Sequence, residues 1–262
     1  MWPAVDLSRY RYFDAPTPLA LAHRGGAKLP SNRGIENTAA AFRHAVDLGY
    51  RYIETDVHTS RDGVVFAFHD DSLDRLTGES GAIRDLAAQD VRRARIGDRE
   101  PIPELSDLLA EFPDTRFNID LKADSSVVPT MDVLAAAGAL DQVCLASFSH
   151  ARLRLARSIA PGVATSFSPR EVARLKLSPP WGPGPSGGVC VQVPRRRGRL
   201  TVVDSRFVAR AHARGLQVHV WTIDDPAEMN ELLDLGVDGI VSDRIDLLRD
   251  ILLARGEWEG TT

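Results

Sequence analysis

The sequence predicts an α/β fold, most specifically a (β/α)8 TIM barrel. Short runs rich in β-forming residues alternate with amphipathic stretches along nearly the whole chain, which is the pattern of parallel strands joined by helices. Eight or nine such units within 262 residues fit a closed barrel, whose usual length is about 250 residues. A doubly wound open sheet is the alternative, but HRGGAK after the first strand does not match the glycine-rich fingerprint usual in that fold.

The first half of the chain supplies four predicted strands and two predicted helices. A strand over 19–23 precedes a loop and a helix over 37–49, in which Gly49 has the position of a C-cap. Two strands over 52–57 and 64–69 are separated by only HTSRDG, which is too short to contain a crossover helix. A helix over 104–112 then precedes a strand over 116–122.

The second half continues the alternation without a linker that would divide the chain. We expect strands over 142–148, 163–167, 188–193, 216–222 and 238–243. The helices are predicted over 127–137, 150–159, 169–175, 205–214 and 226–235. Because nothing interrupts this pattern, we expect residues 1–262 to form a single domain.

The nine predicted strands exceed the eight places in the barrel, so one of them lies outside it or is wrong. The doubtful connection is 58–63. An antiparallel hairpin turned at Asp62-Gly63 is the plain interpretation, and we would expect it to carry His69 to the rim opposite Asp56. A parallel pair would leave both side chains at one rim.

Composition argues against several classes of partner and location. The net charge of −4 gives no electrostatic reason to bind nucleic acid or an anionic membrane. No apolar stretch is long enough to span a bilayer. Cys144 and Cys190 each lie in an apolar β-like run, which favours buried free thiols over a disulfide. We therefore expect a cytoplasmic protein, and the sequence does not indicate its oligomeric state.

Polar and aromatic residues collect at one predicted rim of the barrel. In α/β barrels the C-terminal ends of the strands line the active site. The residues that the sequence places there are His23, Arg24, Glu54, Asp56, His69, Asp120, Lys122, Phe148 and Trp221.

These residue types point to phosphate chemistry with a metal. Residues two apart on a strand share a face, so Glu54 pairs with Asp56, and Asp120 with Lys122. Three carboxylates in one barrel mouth repel each other unless a cation lies between them, and oxygen ligands suit Mg²⁺ or Ca²⁺ rather than Zn²⁺. The two histidines remain for acid–base catalysis, and Arg24 with Lys122 suits a phosphate.

Longer motifs give the chain a family resemblance. AHRGG, IENTAAAF, YIETDVHTSRDGVVFAFHDDSLDRLTG, IDLK and VWTIDDPAEMNELLDLGVDGIVSD resemble the glycerophosphodiester phosphodiesterase family, from about residue 19 to residue 253. The resemblance implies a TIM barrel that hydrolyses glycerophosphodiesters to sn-glycerol 3-phosphate and an alcohol with a divalent cation. The chain also resembles the phosphoinositide-specific phospholipases C, which implies parallel second and third strands with no helix between them, and so one rim.

The resemblance also implies roles for individual residues. His23 and His69 match the catalytic acid and base, and Glu54, Asp56 and Asp120 match the metal ligands. Arg24 and Lys122 match the phosphate-binding cations, Trp221 matches an aromatic beside the substrate, and Glu36 and Asn37 match the loop that faces the site. Which histidine is the acid, and whether the nucleophile is water or the substrate's 2-hydroxyl, stays open.

One departure from the family pattern bears on the substrate. Asp120 stands where the family usually has Glu, and Asp at this place also occurs in the related sphingomyelinase D branch. A lysophospholipase D or sphingomyelinase D-like activity is therefore an alternative. A non-catalytic phosphate-binding module on the same fold is the alternative outside enzymes.

A basic run lies outside these motifs. PRRRGR at 194–199 follows a predicted strand, so in a barrel it lies on the rim that carries the chemistry. It is either a solvated loop or a clamp in which Arg195, Arg196 and Arg197 bind an anionic head group.

Overall fold

The structure is a computed structural model that describes residues 5–177 and 187–260. Eight parallel strands lie side by side in chain order, and one backbone bridge between Ser166 and Cys190 joins the two ends of this sheet. The barrel is nearly closed, so the predicted (β/α)8 fold is confirmed. Its strands are β1 (Leu19–His23), β2 (Tyr52–Thr59), β3 (Arg116–Leu121), β4 (Val143–Ala146), β5 (Ala164–Thr165), β6 (Cys190–Pro194), β7 (Gln217–Trp221) and β8 (Gly239–Ser242).

Helices cover the outside of the barrel. Those of the described residues are α1 (Ala39–Asp47), α2 (Ala88–Val91), α3 (Leu105–Glu111), α4 (Val127–Ala136), α5 (His150–Ile159), α6 (Pro169–Leu177), α7 (Ser205–His212), α8 (Pro226–Asp234) and α9 (Ile245–Arg255). All the predicted helices are present, whereas α2 and α9 were not predicted. In residues 5–177 and 187–260, no helix has the length and apolarity needed to cross a bilayer.

Side-chain caps fix the loops that lead from strands to helices. Thr38 accepts a hydrogen bond from the backbone N–H of Ala41 at 3.2 Å, and Asp204 accepts one from Phe207 at 2.8 Å at the start of α7. Such caps satisfy otherwise unpaired N–H groups in the first helical turn. They also hold the loops of the barrel mouth in place.

The N-terminal segment fills the end of the barrel opposite this mouth. Its two 3-10 turns, Leu7–Arg9 and Arg11–Phe13, bring Tyr12 against the ring of Tyr52, with 5.2 Å between centroids. Tyr52 opens β2 and donates its hydroxyl hydrogen bond to the carbonyl of Tyr12 at 2.6 Å. Tyr12 is fully buried, so its ring helps to fill this end of the barrel. The sequence did not predict this plug.

The chain's second and third strands form an antiparallel hairpin. Val65–Ala67 returns along β2 with Val57 opposite Ala67 and Thr59 opposite Val65, and this return strand lies outside the barrel order. As predicted, no helix separates it from β2, and it is the strand in excess of eight. The expectation of a parallel pair was wrong. The turn contains Gly63 with φ +92°, a conformation that favours glycine.

This hairpin nevertheless keeps His69 at the mouth. Asp56 lies in the middle of β2, and the strand continues to Thr59 before it turns. The short return strand descends only to the level of Asp56, whose carbonyl accepts a hydrogen bond from the N–H of Phe68 at 2.9 Å. The inference that an antiparallel hairpin would separate His69 from Asp56 was therefore wrong as well, because it ended the strand at residue 57, whereas β2 continues to Thr59.

Candidate active site

Strand register brings the predicted polar residues together. His23 is the last residue of β1 and lies beside Glu54 of β2. Asp56 of β2 lies beside Asp120 of β3. Because these strands are hydrogen-bonded neighbours, the three carboxylates and one imidazole line one side of the mouth.

Two cations separate the carboxylates. The Lys122 ammonium lies 2.7 Å from Asp56 Oδ1 and 2.8 Å from Asp120 Oδ2. Arg24 Nε lies 3.1 Å from Asp56 Oδ2. Burial acts to lower the pKa of Lys122, but Asp56 and Asp120 outweigh it and raise that pKa. Both predicted phosphate ligands thus balance acidic charge in this structure.

The donor set fits a hard divalent cation. Burial, and then the charge of Asp56, raises the pKa of Glu54 to about 7, so this carboxylate lacks sufficient positive charge nearby. Asp120 Oδ1 is buried and has no hydrogen-bond partner among the described residues. Within the same residues no three acidic, histidine or cysteine side chains converge as metal ligands, and Lys122 lies between Asp56 and Asp120. Oxygen ligands with spare negative charge are those that Mg²⁺ and Ca²⁺ prefer.

A carboxylate orients His23. Asp243, directly after β8, places Oδ1 at 2.6 Å from His23 Nδ1, and His23 Nε2 lies 3.7 Å from Glu54 Oε2. Burial lowers the pKa of His23, but Glu54 and Asp243 together raise it above its usual value. Sequence reasoning missed Asp243. Asp243 could have been found from the barrel fold, because the last strand of a closed barrel lies beside the first. The Asp that ends DGIVSD therefore lies next to His23.

A continuous ionic chain supports His69. Asp70 Oδ1 lies 2.6 Å from His69 Nδ1, and Arg75 Nε lies 2.5 Å from Asp70 Oδ2. Arg75 Nη2 also lies 2.7 Å from Glu36 Oε1, which lies 2.8 Å from Arg24 Nη1. The hydrogen bond from Arg75 is the largest cause that lowers the pKa of Asp70 to about 2. Sequence reasoning missed Arg75, which links the predicted residues Glu36 and Arg24 to the second histidine.

The loop after β1 takes part through Asn37 as well. Asn37 Nδ2 donates to Asp56 Oδ2 at 3.0 Å, and Thr55 Oγ1 donates to Asn37 Oδ1 at 2.8 Å. Asn37 and Arg24 both have positive φ, +61° and +52°, which is uncommon outside glycine and clusters at functional sites. The structure thus places both predicted loop residues, Glu36 and Asn37, in the same network.

Two aromatic residues border the mouth on its other side. The rings of Phe148, after β4, and Trp221, at the end of β7, meet edge to face with 5.8 Å between centroids. Phe148 is 66% exposed. This pair presents an apolar edge to anything that enters the mouth.

The structure does not bring Arg195 to this cluster. Arg195 forms ion pairs with Glu228 at 3.1 Å and Glu231 at 2.5 Å, both on α8. Arg196 and Arg197 are exposed and begin a small hairpin beyond β6.

Known proteins share this fold over most of the chain. The model of the glycerophosphoryl diester phosphodiesterase family matches residues 23–247. The chain belongs to this family. Its members are phosphoric diester hydrolases, and the chain is an enzyme of that class. The probable glycerophosphodiester phosphodiesterase 2 of Mycobacterium tuberculosis is 44% identical over 92% of this chain and 93% of its own length.

More distant relatives share the fold and differ in name. A lysophospholipase D of Homo sapiens is 26% identical over 88% of this enzyme and 85% of its own length. A phosphodiesterase of Oleispira antarctica, solved with the product sn-glycerol-3-phosphate, superimposes with a TM-score of 0.74 at 23% identity over 90% of this chain and 97% of that one. The glycerophosphodiester phosphodiesterase of Agrobacterium tumefaciens gives a TM-score of 0.73 at 25% identity, over 89% and 98% of the two chains.

Proposed function

We propose that this enzyme hydrolyses glycerophosphodiesters to sn-glycerol 3-phosphate and an alcohol. The observation that carries the proposal is one barrel mouth with two carboxylate-backed histidines, three further carboxylates and two cations, in a chain of this family. Two proton-transfer groups and separate sites for positive charge are what the cleavage of a phosphate diester requires.

Glu54, Asp56 and Asp120 would hold the divalent cation, Mg²⁺ or Ca²⁺. When bound, it neutralises charge on the phosphate and makes phosphorus more susceptible to attack. Arg24 contributes a planar guanidinium for the non-bridging oxygens, and Lys122 contributes a point charge.

The two histidines move the protons. Asp243 accepts from Nδ1 of His23 and leaves Nε2 free to face the substrate, and Asp70 does the same for His69. One imidazole accepts the proton of the attacking hydroxyl while the new P–O bond forms. Attack by water gives glycerol phosphate directly, whereas attack by the glycerol 2-hydroxyl gives a cyclic phosphate that water opens in a second step. The other imidazole donates a proton to the departing alkoxide as the old P–O bond breaks.

A lysophospholipase D activity is the second candidate. The exposed Phe148 beside Trp221 offers an apolar border to the mouth, which suits a substrate that keeps one acyl chain. A relative in Homo sapiens carries that name. We place either reaction in the cytoplasm, a location that the free, buried Cys144 and Cys190 favour.

The deciding experiment removes and restores the metal. The protein is stripped with EDTA and incubated with glycerophosphocholine and Mg²⁺, Ca²⁺ or no metal, and sn-glycerol 3-phosphate is measured. We expect release only with a divalent cation. In calorimetry, Asp120→Asn should weaken metal binding by about tenfold or more. If glycerol phosphate is released at the same rate in EDTA, the metal dependence is refuted. If no diester releases glycerol phosphate, the activity is refuted.

A further inference from the structure

The chain from Arg196 to Thr201 forms a basic hairpin at the mouth. Arg196–Arg197 pairs antiparallel with Leu200–Thr201, around Gly198 with φ +59°. The backbone N–H of Val202 bonds to the carbonyl of Arg195 at 3.0 Å and closes its base. The ion pairs of Arg195 with α8 hold that base in place. The hairpin is therefore an ordered projection from the barrel, held at its base by these contacts.

The arginines of this hairpin carry uncompensated charge. Arg196, Arg197 and Arg199 are exposed, and none has an ion-pair partner in residues 5–177 and 187–260. The residues outside these two ranges contain no Asp or Glu side chain; they are MWPA (1–4), SPPWGPGPS (178–186) and TT (261–262). Three positive charges thus project together from a chain whose net charge is −4.

Apolar groups lie in the same region. Leu200 of the hairpin is 58% exposed. The hairpin follows β6, whose last residue, Pro194, is the register partner of Trp221, and Phe148 packs on Trp221. In the barrel β6 lies between β5 and β7. The hairpin therefore rises beside β7, which carries Trp221, on the side toward β4, which Phe148 follows. Cationic and apolar side chains therefore share one sector of the active-site rim.

We propose that this sector, Arg196, Arg197, Arg199, Leu200 and Phe148, docks the enzyme on an anionic lipid bilayer with its mouth toward the head groups. Arginines attract an anionic surface while exposed leucine and phenylalanine enter the interfacial layer. The negative charge of the rest of the chain opposes contact by other faces, which selects this orientation. The net charge of the chain gave no reason to expect a membrane partner, because a net charge does not show where basic residues are clustered.

Docking would give the enzyme access to diesters that still carry an acyl chain. This consequence depends on the proposed function, whereas docking itself does not. The test of docking therefore measures binding alone and is independent of whether glycerol phosphate is released.

The experiment is co-sedimentation with vesicles of phosphatidylcholine, with and without phosphatidylglycerol. We expect the full chain to bind only the anionic vesicles and to be released by salt. The triple variant Arg196→Gln, Arg197→Gln, Arg199→Gln should bind about a hundredfold more weakly, since each basic residue near the surface contributes about fivefold. Leu200→Ser should weaken binding by about tenfold. The matched control is the triple variant Arg9→Gln, Arg11→Gln, Arg154→Gln, which alters three other exposed arginines. Its net charge equals that of the hairpin variant.

Several outcomes would overturn the proposal. Wild-type protein that ignores anionic vesicles refutes it, and equal losses in the two triple variants would show that only net charge matters. Vesicle binding retained in the hairpin variant, together with a raised KM for soluble glycerophosphoglycerol, would assign the arginines to a head-group clamp instead. Circular dichroism would confirm that each variant is folded.

Discussion

At the scale of single residues, the two histidines have different support. His23 is held by Asp243 across the β1–β8 seam, so its orientation depends on closure of the barrel. His69 is held by the next residue, Asp70, which in turn is held by Arg75. Each imidazole has Nδ1 fixed by a carboxylate, and among the described residues Nε2 of each forms no hydrogen bond, the arrangement that proton transfer needs.

Replacing either histidine by alanine should reduce turnover strongly. We expect His23→Ala and His69→Ala each to lower kcat by about 10³, the usual contribution of a general acid or base, with metal binding retained in calorimetry. His212→Ala is the control, because His212 ends α7 and pairs with Asp238. Near-normal turnover in either active-site variant would rule out its proposed role.

Arg75 should act through Asp70. Arg75→Met frees the Asp70 carboxylate to move, so kcat should fall by about tenfold, while KM changes little. Arg75→Lys should recover part of the loss. The double variant Arg75→Met, Asp70→Asn should be no worse than Asp70→Asn alone, and additive losses in this cycle would contradict the coupling.

The sequence allowed some of these residues to be predicted and others not. Glu54, Asp56 and Asp120 follow from two-residue spacing on strands, and His23 and Arg24 from the end of the first strand. Asp243 depends on which strand closes the barrel, and Arg75 on how a loop folds back over Glu36. Such long-range pairings leave no periodic signal in a single sequence.

At the scale of elements, the main surprises are segments outside the regular alternation. The return strand of the β2 hairpin was predicted to exist, and the short connection with its Asp62-Gly63 turn indicated the antiparallel direction that the structure has. The family resemblance implied a parallel direction instead, and that expectation was wrong. The N-terminal plug has no amphipathic period at all. Its turns are held by tertiary contacts such as the hydrogen bond from Tyr52 to Tyr12.

The plug should contribute measurably to stability. Tyr12→Ala removes a fully buried ring and should lower the free energy of unfolding by about 3 kcal/mol. Tyr12→Phe is the matched control: the Tyr12 hydroxyl is buried without a hydrogen-bond partner in the described part of the chain, so its loss should be neutral or stabilising. Urea denaturation measures both, and similar destabilisation by the two variants would contradict this account.

At the scale of the whole molecule, one buried imidazole links stability to pH. Burial of His219 lowers its pKa to about 4, and its Nε2 lies 2.9 Å from Gln217 Oε1 inside the barrel. Because the folded-state pKa lies below the unfolded value of 6.5, this stabilisation is complete above pH 6.5 and is lost as the pH falls toward 4. The amount is about 3 kcal/mol.

The comparison with His219→Gln isolates this effect. Glu54 acts in the opposite direction, since its pKa is raised, but it contributes equally to both proteins. The wild-type protein should therefore lose about 3 kcal/mol more than the variant between pH 6.5 and 4, as measured by urea denaturation. If the free energy of unfolding changes with pH in the same way in the two proteins, His219 is not the titrating group.

The N-terminal plug also bears on the route by which substrate and product reach the site. Since Tyr12 and its neighbours fill one end of the barrel, we expect substrate, alcohol and glycerol phosphate all to pass through the mouth at the other end. Because the diester and the product would bind the same cations, Arg24 and Lys122, added sn-glycerol 3-phosphate should compete directly with the diester.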